Sequence, residues 1–170
     1  CAGYDNEGVI GNGTCCPFSN SFTLTTAYSA VASFAAGESV MCALTPTGGV
    51  RCSGYRLYHG SFAPESIVGL SDITGLAVGF DHLCARRLDG TVWCFGLNGT
   101  GQLGDGSNVD EQTTVVQVIG LTTARRVAVG TLHSCAVLSD GTVSCWGRNN
   151  YGQLGDGTLD TRFTPARVRL

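Results

Sequence analysis

The cysteines are the residues whose spacing most directly predicts chemistry. Six of the nine form three pairs, and the members of each pair lie ten residues apart: Cys42 with Cys52, Cys84 with Cys94, and Cys135 with Cys145. Zinc-binding cysteines are typically spaced by about two to four residues, with a second pair nearby. The spacing of ten therefore predicts disulfide bonds. So many cysteines in a short chain also favour an oxidising compartment, outside the cell or at its surface.

Three further cysteines, Cys1, Cys15 and Cys16, have no partner at this spacing. The expected partner of Cys1 would lie upstream of residue 1. We expect these cysteines to bond one another, missing sequence or a neighbouring chain, and the odd count leaves at least one thiol free or bonded elsewhere. The alternative for Cys1 is the lipid-bearing first residue of a bacterial lipoprotein.

Two histidines and several aspartates are candidate metal ligands. His82 in "GFDHLC" and His133 in "GTLHSC" occupy matching positions, where Val40 stands in an earlier segment. They could converge on a metal ion, or each could fix its own turn by hydrogen bonds, and the apolar Val40 favours the second interpretation.

The "GDG" segments bring Asp105, Asp110, Asp156 and Asp160 close in sequence, but the bidentate glutamate of a calcium loop is missing. Repeated Gly and Asp predict turns instead. Because no order of Ser, His and Asp stands out either, we expect no enzyme, no metal and no cofactor.

Charge and hydropathy exclude two classes of partner. The net charge is −3, and the ten basic residues, all arginine, are spread along the chain. This distribution does not predict nucleic-acid binding. No apolar run approaches the ~20 residues of a spanning helix, so we expect no membrane insertion. A protein partner remains the expectation.

The cysteine pairs mark an internal repeat. The segment "VAVGTLHSCAVLSDGTVSCWGRNNYGQLGDG" at 127–157 matches "LAVGFDHLCARRLDGTVWCFGLNGTGQLGDG" at 76–106, and a weaker copy precedes them. The opening "CAGYDNEGVIGNGT" aligns without a gap with "CWGRNNYGQLGDGT". We therefore expect the second half of a repeat over 1–30, a repeat with a shortened loop over 31–72, and full repeats over 73–123 and 124–170.

Within each copy, the two cysteines flank an alternating stretch with a turn, which predicts a β-hairpin. A three-residue loop, 139–141 in the last copy, places Cys135 opposite Cys145, whereas a two-residue turn places it opposite Trp146. The third loop position favours glycine because it requires positive φ. The copies supply Gly48, Gly90 and Gly141 there.

The pattern "VAVGxxHxCAxxxDGxVxCWGxNxxGQLGDG", written from 127–157, resembles the repeat of the regulator of chromosome condensation family. The resemblance extends over all three copies and the leading half copy. It implies an all-β fold of β-propeller blades, about three and a half repeats of a seven-bladed ring, in a family whose members act as binding platforms. The cysteine pairs resemble the family's secreted bacterial members.

These observations predict a secreted or cell-surface propeller segment that acts as a non-catalytic protein-binding or structural platform. The alternatives are an inhibitor of an extracellular enzyme, as the family's secreted β-lactamase inhibitors imply, and a fibre subunit that self-associates through open blade edges. Loop residues that differ between matching copies are candidates for binding. They are Phe80, Asp81, Arg148, Asn149, Tyr151, Arg56 and Tyr58.

Overall fold

The computed structural model describes residues 3–4, 18–19, 30–54 and 63–169, and the regular structure in these ranges is β-strand. The strands in chain order are β1 (Gly3–Tyr4), β2 (Phe18–Ser19), β3 (Ser33–Ala36), β4 (Met41–Leu44), β5 (Val50–Ser53), β6 (Glu65–Ser66), β7 (Ile73–Val78), β8 (His82–Arg87), β9 (Val92–Leu97), β10 (Glu111–Gln117), β11 (Ala124–Val129), β12 (His133–Leu138), β13 (Val143–Gly147) and β14 (Arg162–Arg167). In this part of the chain, no helix is long and apolar enough to cross a membrane. Cys1, Cys15, Cys16, Arg56 and Tyr58 lie outside the described residues.

Twelve of the strands form three four-stranded antiparallel sheets, each made of four consecutive strands. We call β3–β6 blade I, β7–β10 blade II and β11–β14 blade III. The first strands of adjacent blades contact each other, β3 with β7 and β7 with β11, so the first strand is the inner strand and the fourth is the outer strand. β1 pairs with β2, with Gly3 opposite Ser19. The arrangement confirms the predicted all-β fold of propeller blades.

The hairpin between the second and third strands has the predicted register. In blade III, Cys135 lies opposite Cys145, and the hairpin closes through a hydrogen bond from Leu138 N–H to Thr142 O at 2.8 Å. Gly141 takes a φ of +84° at the third loop position, where a side chain would be strained. All three hairpins share this geometry, so each brings its two cysteines face to face.

The three cysteine pairs form disulfides in the structure. The S–S distances are 2.10 Å for Cys42–Cys52, 2.07 Å for Cys84–Cys94 and 2.16 Å for Cys135–Cys145, and the Cα atoms lie 4.0–4.1 Å apart. Each bond links the two central strands of a blade across the sheet.

Blade II is packed on both faces. Successive residues of a strand point to opposite faces, so Leu83 and Ala85 of β8 join an apolar cluster shared with blade I, while Cys84 joins a second cluster shared with blade III. These three side chains are fully buried. Each interface therefore depends on residues from two blades.

The inner turns of neighbouring blades approach at backbone distance. A Cβ atom added to Gly79 would lie 2.4 Å from the carbonyl oxygen of Gly130, and one added to Gly37 would overlap the carbonyl of Gly79. Real Cβ atoms do not approach so closely. Glycine at the end of the inner strand is therefore required by the closeness of the next blade.

Removing the buried disulfide tests how far the interfaces depend on it. The double substitution Cys84→Ala and Cys94→Ala should lower the free energy of unfolding by the ~2.5–3 kcal/mol of loop-closure entropy, plus a packing loss at the interface of blades II and III. The matched control is Cys135→Ala with Cys145→Ala, which opens a loop of equal length where Cys135 is only half-buried. Denaturant unfolding should show the larger loss for the first pair. Equal losses would contradict the packing contribution.

Candidate protein-binding loops

The loops between the third and fourth strands, 98–110 in blade II and 148–161 in blade III, contain the shared "GQLGDG" segment. A buried asparagine organises each loop. In blade III, Asn149 Oδ1 accepts a hydrogen bond from Leu154 N–H at 3.0 Å, and its Nδ2 donates to Thr158 O at 3.0 Å. Asn98 makes the equivalent bonds in blade II. Because both side chains are fully buried, these bonds replace the water that the amides would otherwise bind.

A second polar group, Asp156, closes the end of the blade III loop. Its Oδ1 accepts hydrogen bonds from the N–H and hydroxyl of Thr158 at 2.9 and 2.7 Å, and its Oδ2 pairs with Arg162 Nε at 2.7 Å. The Thr158 hydroxyl, and then Arg162, hold the pKa of this carboxyl below its usual range. Among the described residues, no group of three or more His, Cys, Asp or Glu could hold a metal ion. The shared residues of the loop therefore form its scaffold.

Two of the residues that differ between the two loops lie at the surface. Tyr151, which replaces Thr100 of blade II, is 83% exposed, and Leu159 is 65% exposed. The guanidinium of Arg148 lies over the Tyr151 ring, 5.7 Å from its centroid. The side chain of Leu159 lies beside Gly152, the residue after Tyr151. We call Arg148, Tyr151 and Leu159 the Tyr151 patch.

The other predicted binding residues have different surroundings. Asp81 is buried, and its Oδ1 lies 3.2 Å from Ser39 Oγ of blade I. Phe80 is half-buried, and its carbonyl accepts from the same hydroxyl at 2.8 Å. Asp81 and Asn149 thus have structural positions and present no side-chain surface to a partner, while Arg148 and Tyr151 do.

One of the two matching histidines connects two blades. His82 is fully buried, and its Nε2 lies 2.9 Å from Ser134 Oγ of blade III. Since the single hydroxyl proton of Ser134 is donated to Gln102 O at 2.9 Å, His82 must be the donor through Nε2–H. Its buried Nδ1 has no hydrogen-bond partner within the described structure. Burial, and then the nearby His133, lower the pKa of His82 to about 3, because protonation would bury an unpaired N–H. The expectation that each histidine fixes its own turn missed this bond between blades.

A further contact between blades was not anticipated from the sequence. The indole Nε1 of Trp146 in blade III donates to the carbonyl of Gln102 in blade II at 2.9 Å. The signal for it is that Ser134 and Trp146 of one copy stand where Leu83 and Phe95 stand in the preceding copy. When two neighbouring positions change together between matching copies, the contacts of those copies with their neighbouring blades are expected to differ.

Family models agree with the geometry. Two models of the Regulator of chromosome condensation (RCC1) repeat match the chain, one over 73–102 and 124–153, the other over 89–137 and 140–170. Together they extend over the two full repeats, more than half of the chain. This chain belongs to the RCC1 repeat family.

Individual proteins similar to this chain are longer than it. Human HERC4, named a probable E3 ubiquitin-protein ligase, is 36% identical over 107 residues, which are 60% of this chain and 10% of HERC4. Human WBSCR16 superposes on 99% of this chain with a TM-score of 0.86 and 23% identity, over 48% of its own length. Yeast Prp20p gives a TM-score of 0.68 and 28% identity, over 82% of this chain and 36% of Prp20p. The chain therefore spans a tenth to a half of the length of these relatives.

The buried loop asparagine can be tested against its exposed neighbour. Asn149→Ala leaves the buried N–H of Leu154 without its acceptor, so the free energy of unfolding should fall by about 2–3 kcal/mol. The matched control is Asn150→Ala, the same substitution at an exposed residue, which should cost less than about 0.5 kcal/mol. Denaturant unfolding of both variants measures the difference. Equal costs would contradict the scaffold role of Asn149.

The neutral His82 predicts a pH dependence of stability. The pKa of His82 is lower in the folded chain than in the unfolded chain, so the unfolded state binds the extra proton, and stability present above pH 6.5 is lost as the pH falls. Between pH 7 and pH 5 the loss should be about 2 kcal/mol. Thermal or denaturant unfolding across this range measures it.

Two variants assign this slope to its source. His82→Val, which copies Val40 of the first repeat, should flatten the slope between pH 7 and pH 5. His133→Val is the control. His133 is only half-buried, and burial lowers its pKa, so this variant should keep most of the slope. A slope as steep in the His82 variant as in the unchanged chain would show that another group is its main source.

Proposed function

We propose that this RCC1-repeat chain is a non-catalytic protein-binding platform and that the Tyr151 patch is a contact surface. The observation that carries the proposal is that the "GQLGDG" loops have a buried framework and exposed variable side chains. The shared residues are buried and hydrogen-bonded to one another, whereas Tyr151 and Leu159, at positions that vary, are exposed. A rigid loop with exposed variable side chains can select a partner at low entropic cost.

The chemistry of the patch indicates the kind of protein surface it would bind. Tyrosine and arginine are the residue types that most often dominate binding energy at protein interfaces. Tyr151 offers a large apolar ring, Leu159 extends the apolar area, and Arg148 places a positive charge over the ring. A complementary partner would present an apolar side chain next to an acidic group.

Solved relatives of the same fold support protein recognition as the role. A structure of Prp20, yeast RCC1, has Kap60 bound, and Prp20p is described with binding properties to Gsp1p and histones. By this similarity, a protein partner is preferred over a small substrate. His82 is buried and held neutral, so its side chain is not available to a substrate.

We further propose that the protein works outside the cell or at its surface. The support is physical: each disulfide spans two paired strands, and bonds of this kind persist in oxidising compartments while reducing compartments open them.

A comparative capture experiment tests both parts of the proposal. The full chain is immobilised under non-reducing conditions and exposed separately to secreted and intracellular fractions of its source cells. We expect a specific protein from the secreted fraction, and its retention should fall about tenfold or more when Tyr151→Ala and Arg148→Ala are combined. Quantitative mass spectrometry measures retention.

The control is Leu88→Ala, which removes an equally exposed apolar side chain at the hairpin end of blade II, opposite the loop end. It should leave retention unchanged. Equal retention by all three proteins would show that the Tyr151 patch is not the contact surface. A partner found only in the intracellular fraction would contradict the proposed location.

A further inference from the structure

The loop of blade II begins with a candidate modification site. Asn98, Gly99 and Thr100 form the sequence Asn-X-Thr, which is the acceptor sequence for N-linked oligosaccharides. The loop of blade III begins in the same way with Asn149, but Tyr151 stands at the third position and supplies no aliphatic hydroxyl. The loop of blade II therefore contains a chemical signal that the matching loop of blade III lacks.

The acceptor amide is enclosed by the folded loop. Asn98 is fully buried, and its Nδ2 lies 3.1 Å from Asp105 Oδ1, 3.0 Å from Ser107 Oγ and 3.2 Å from Ser107 O. Its Oδ1 accepts a hydrogen bond from Leu103 N–H at 3.0 Å. The amide nitrogen must form the new bond in glycosylation, and here protein atoms surround it. A transferase can reach it only when the loop opens.

The third residue of the acceptor sequence is engaged as well. The Thr100 hydroxyl donates to Gln102 Oε1 at 2.8 Å and lies 3.3 Å from the carbonyl oxygen of Leu132 in blade III. The transferase reads this hydroxyl together with the amide, since only serine or threonine serves at the third position. Both groups that the enzyme must recognise are therefore satisfied within the folded structure.

Closure of this loop and packing of blade III depend on the same residues. The bond from Leu103 N–H to Asn98 fixes the chain beside Gln102, whose carbonyl accepts from Ser134 Oγ and Trp146 Nε1 of blade III at 2.9 Å each. Leu103 is fully buried in one apolar cluster with Trp146. A sugar on Asn98 Nδ2 would push this segment out of place, and the contacts with blade III would be lost with it.

We propose that Asn98 accepts an N-linked oligosaccharide only while loop 98–110 is open, and that its modification and the docking of blade III exclude each other. Asn98 Nδ2 forms a bond to the anomeric carbon of a lipid-pyrophosphate-linked oligosaccharide. The bond from that carbon to the pyrophosphate oxygen breaks, its electron pair leaves with the lipid pyrophosphate, and one amide proton is released. The order of folding and modification therefore decides which state the chain reaches. The inference is independent of the proposed role of the Tyr151 patch.

Modification rates of folded and unfolded chains test the first part. The full chain, made without glycans, is incubated with purified oligosaccharyltransferase and its lipid-linked oligosaccharide, once folded with its disulfides and once reduced and unfolded. Thr14→Ala, present in every chain, removes a second acceptor sequence at 12–14 that lies outside the described residues. Mass spectrometry should show Asn98 modified in the unfolded chain, and about tenfold or more slowly in the folded chain, because only molecules with an open loop react.

Two variants separate burial from other effects of folding. Asp110→Thr turns the exposed Asn108 of the same loop into an acceptor, which should react at similar rates in both forms. Tyr151→Thr gives the buried Asn149 an acceptor sequence, which should be protected in the folded chain as Asn98 is. Equal rates at Asn98 in both forms, no reaction of Asn98 in the unfolded chain, equal protection of Asn108, or fast reaction of Asn149 in the folded chain would each overturn the proposal.

Hydrogen exchange tests the second part. The chain is modified at Asn98 while unfolded and is then oxidised and refolded. Exchange over 133–147 of blade III should be about tenfold or more faster than in the unmodified chain. The control is the Asp110→Thr chain modified at Asn108 while folded, which should keep the protection of blade III. Equal protection of blade III in the chain modified at Asn98 and in the unmodified chain would show that modification and docking are compatible, which overturns the exclusion.

Discussion

The structure depends on the burial of each blade between two neighbours. A four-stranded sheet has two faces, and successive side chains of a strand point to alternate faces. A blade that lies between two others therefore needs apolar side chains at successive positions, so that both faces are buried. In blade II, Leu83 and Ala85 point towards blade I while Cys84 and Cys94 point towards blade III. The glycines of the inner turns allow neighbouring blades to approach closely, and the disulfides link the central strands within each blade.

The disulfides and the loops support the stack in different ways. Each disulfide constrains a hairpin of its own blade, and its effect on the unfolded chain is similar in all three repeats because the loops have equal length. The "GQLGDG" loop instead lies against the next blade, where the carbonyl of Gln102 accepts from Trp146 and Ser134. A blade is therefore stabilised from within by covalent bonds and from outside by hydrogen bonds that its neighbour completes.

The same repeat also separates scaffold from surface. Asn98 and Asn149 are buried at matching positions and hold their loops by equivalent hydrogen bonds, so they cannot vary without cost. Thr100 and Tyr151 follow two residues later, where the side chain at the blade III position is exposed to solvent. The fold can change its surface chemistry at such positions while its hydrogen-bonded framework stays constant.

The sequence by itself determined the features that depend on local spacing. Cysteines ten residues apart around a turn with glycine at its third position lead to one hairpin register, because a residue with positive φ closes a three-residue loop and brings Cys135 opposite Cys145. The repeat and its family pattern also predicted propeller blades, because each copy contains the same local signals for strands and turns. These features require no knowledge of which blade lies beside which.

Only the tertiary structure decided what each side chain meets across an interface. Asn149 and Tyr151 were both predicted as binding residues, yet one is buried and the other exposed, because the loop folds back on the asparagine amide. His82 bonds to Ser134 rather than within its own turn because the neighbouring blade brings a hydroxyl to it. The bond between His82 and Ser134 joins residues 52 positions apart, and it follows from the packing of successive blades rather than from local sequence.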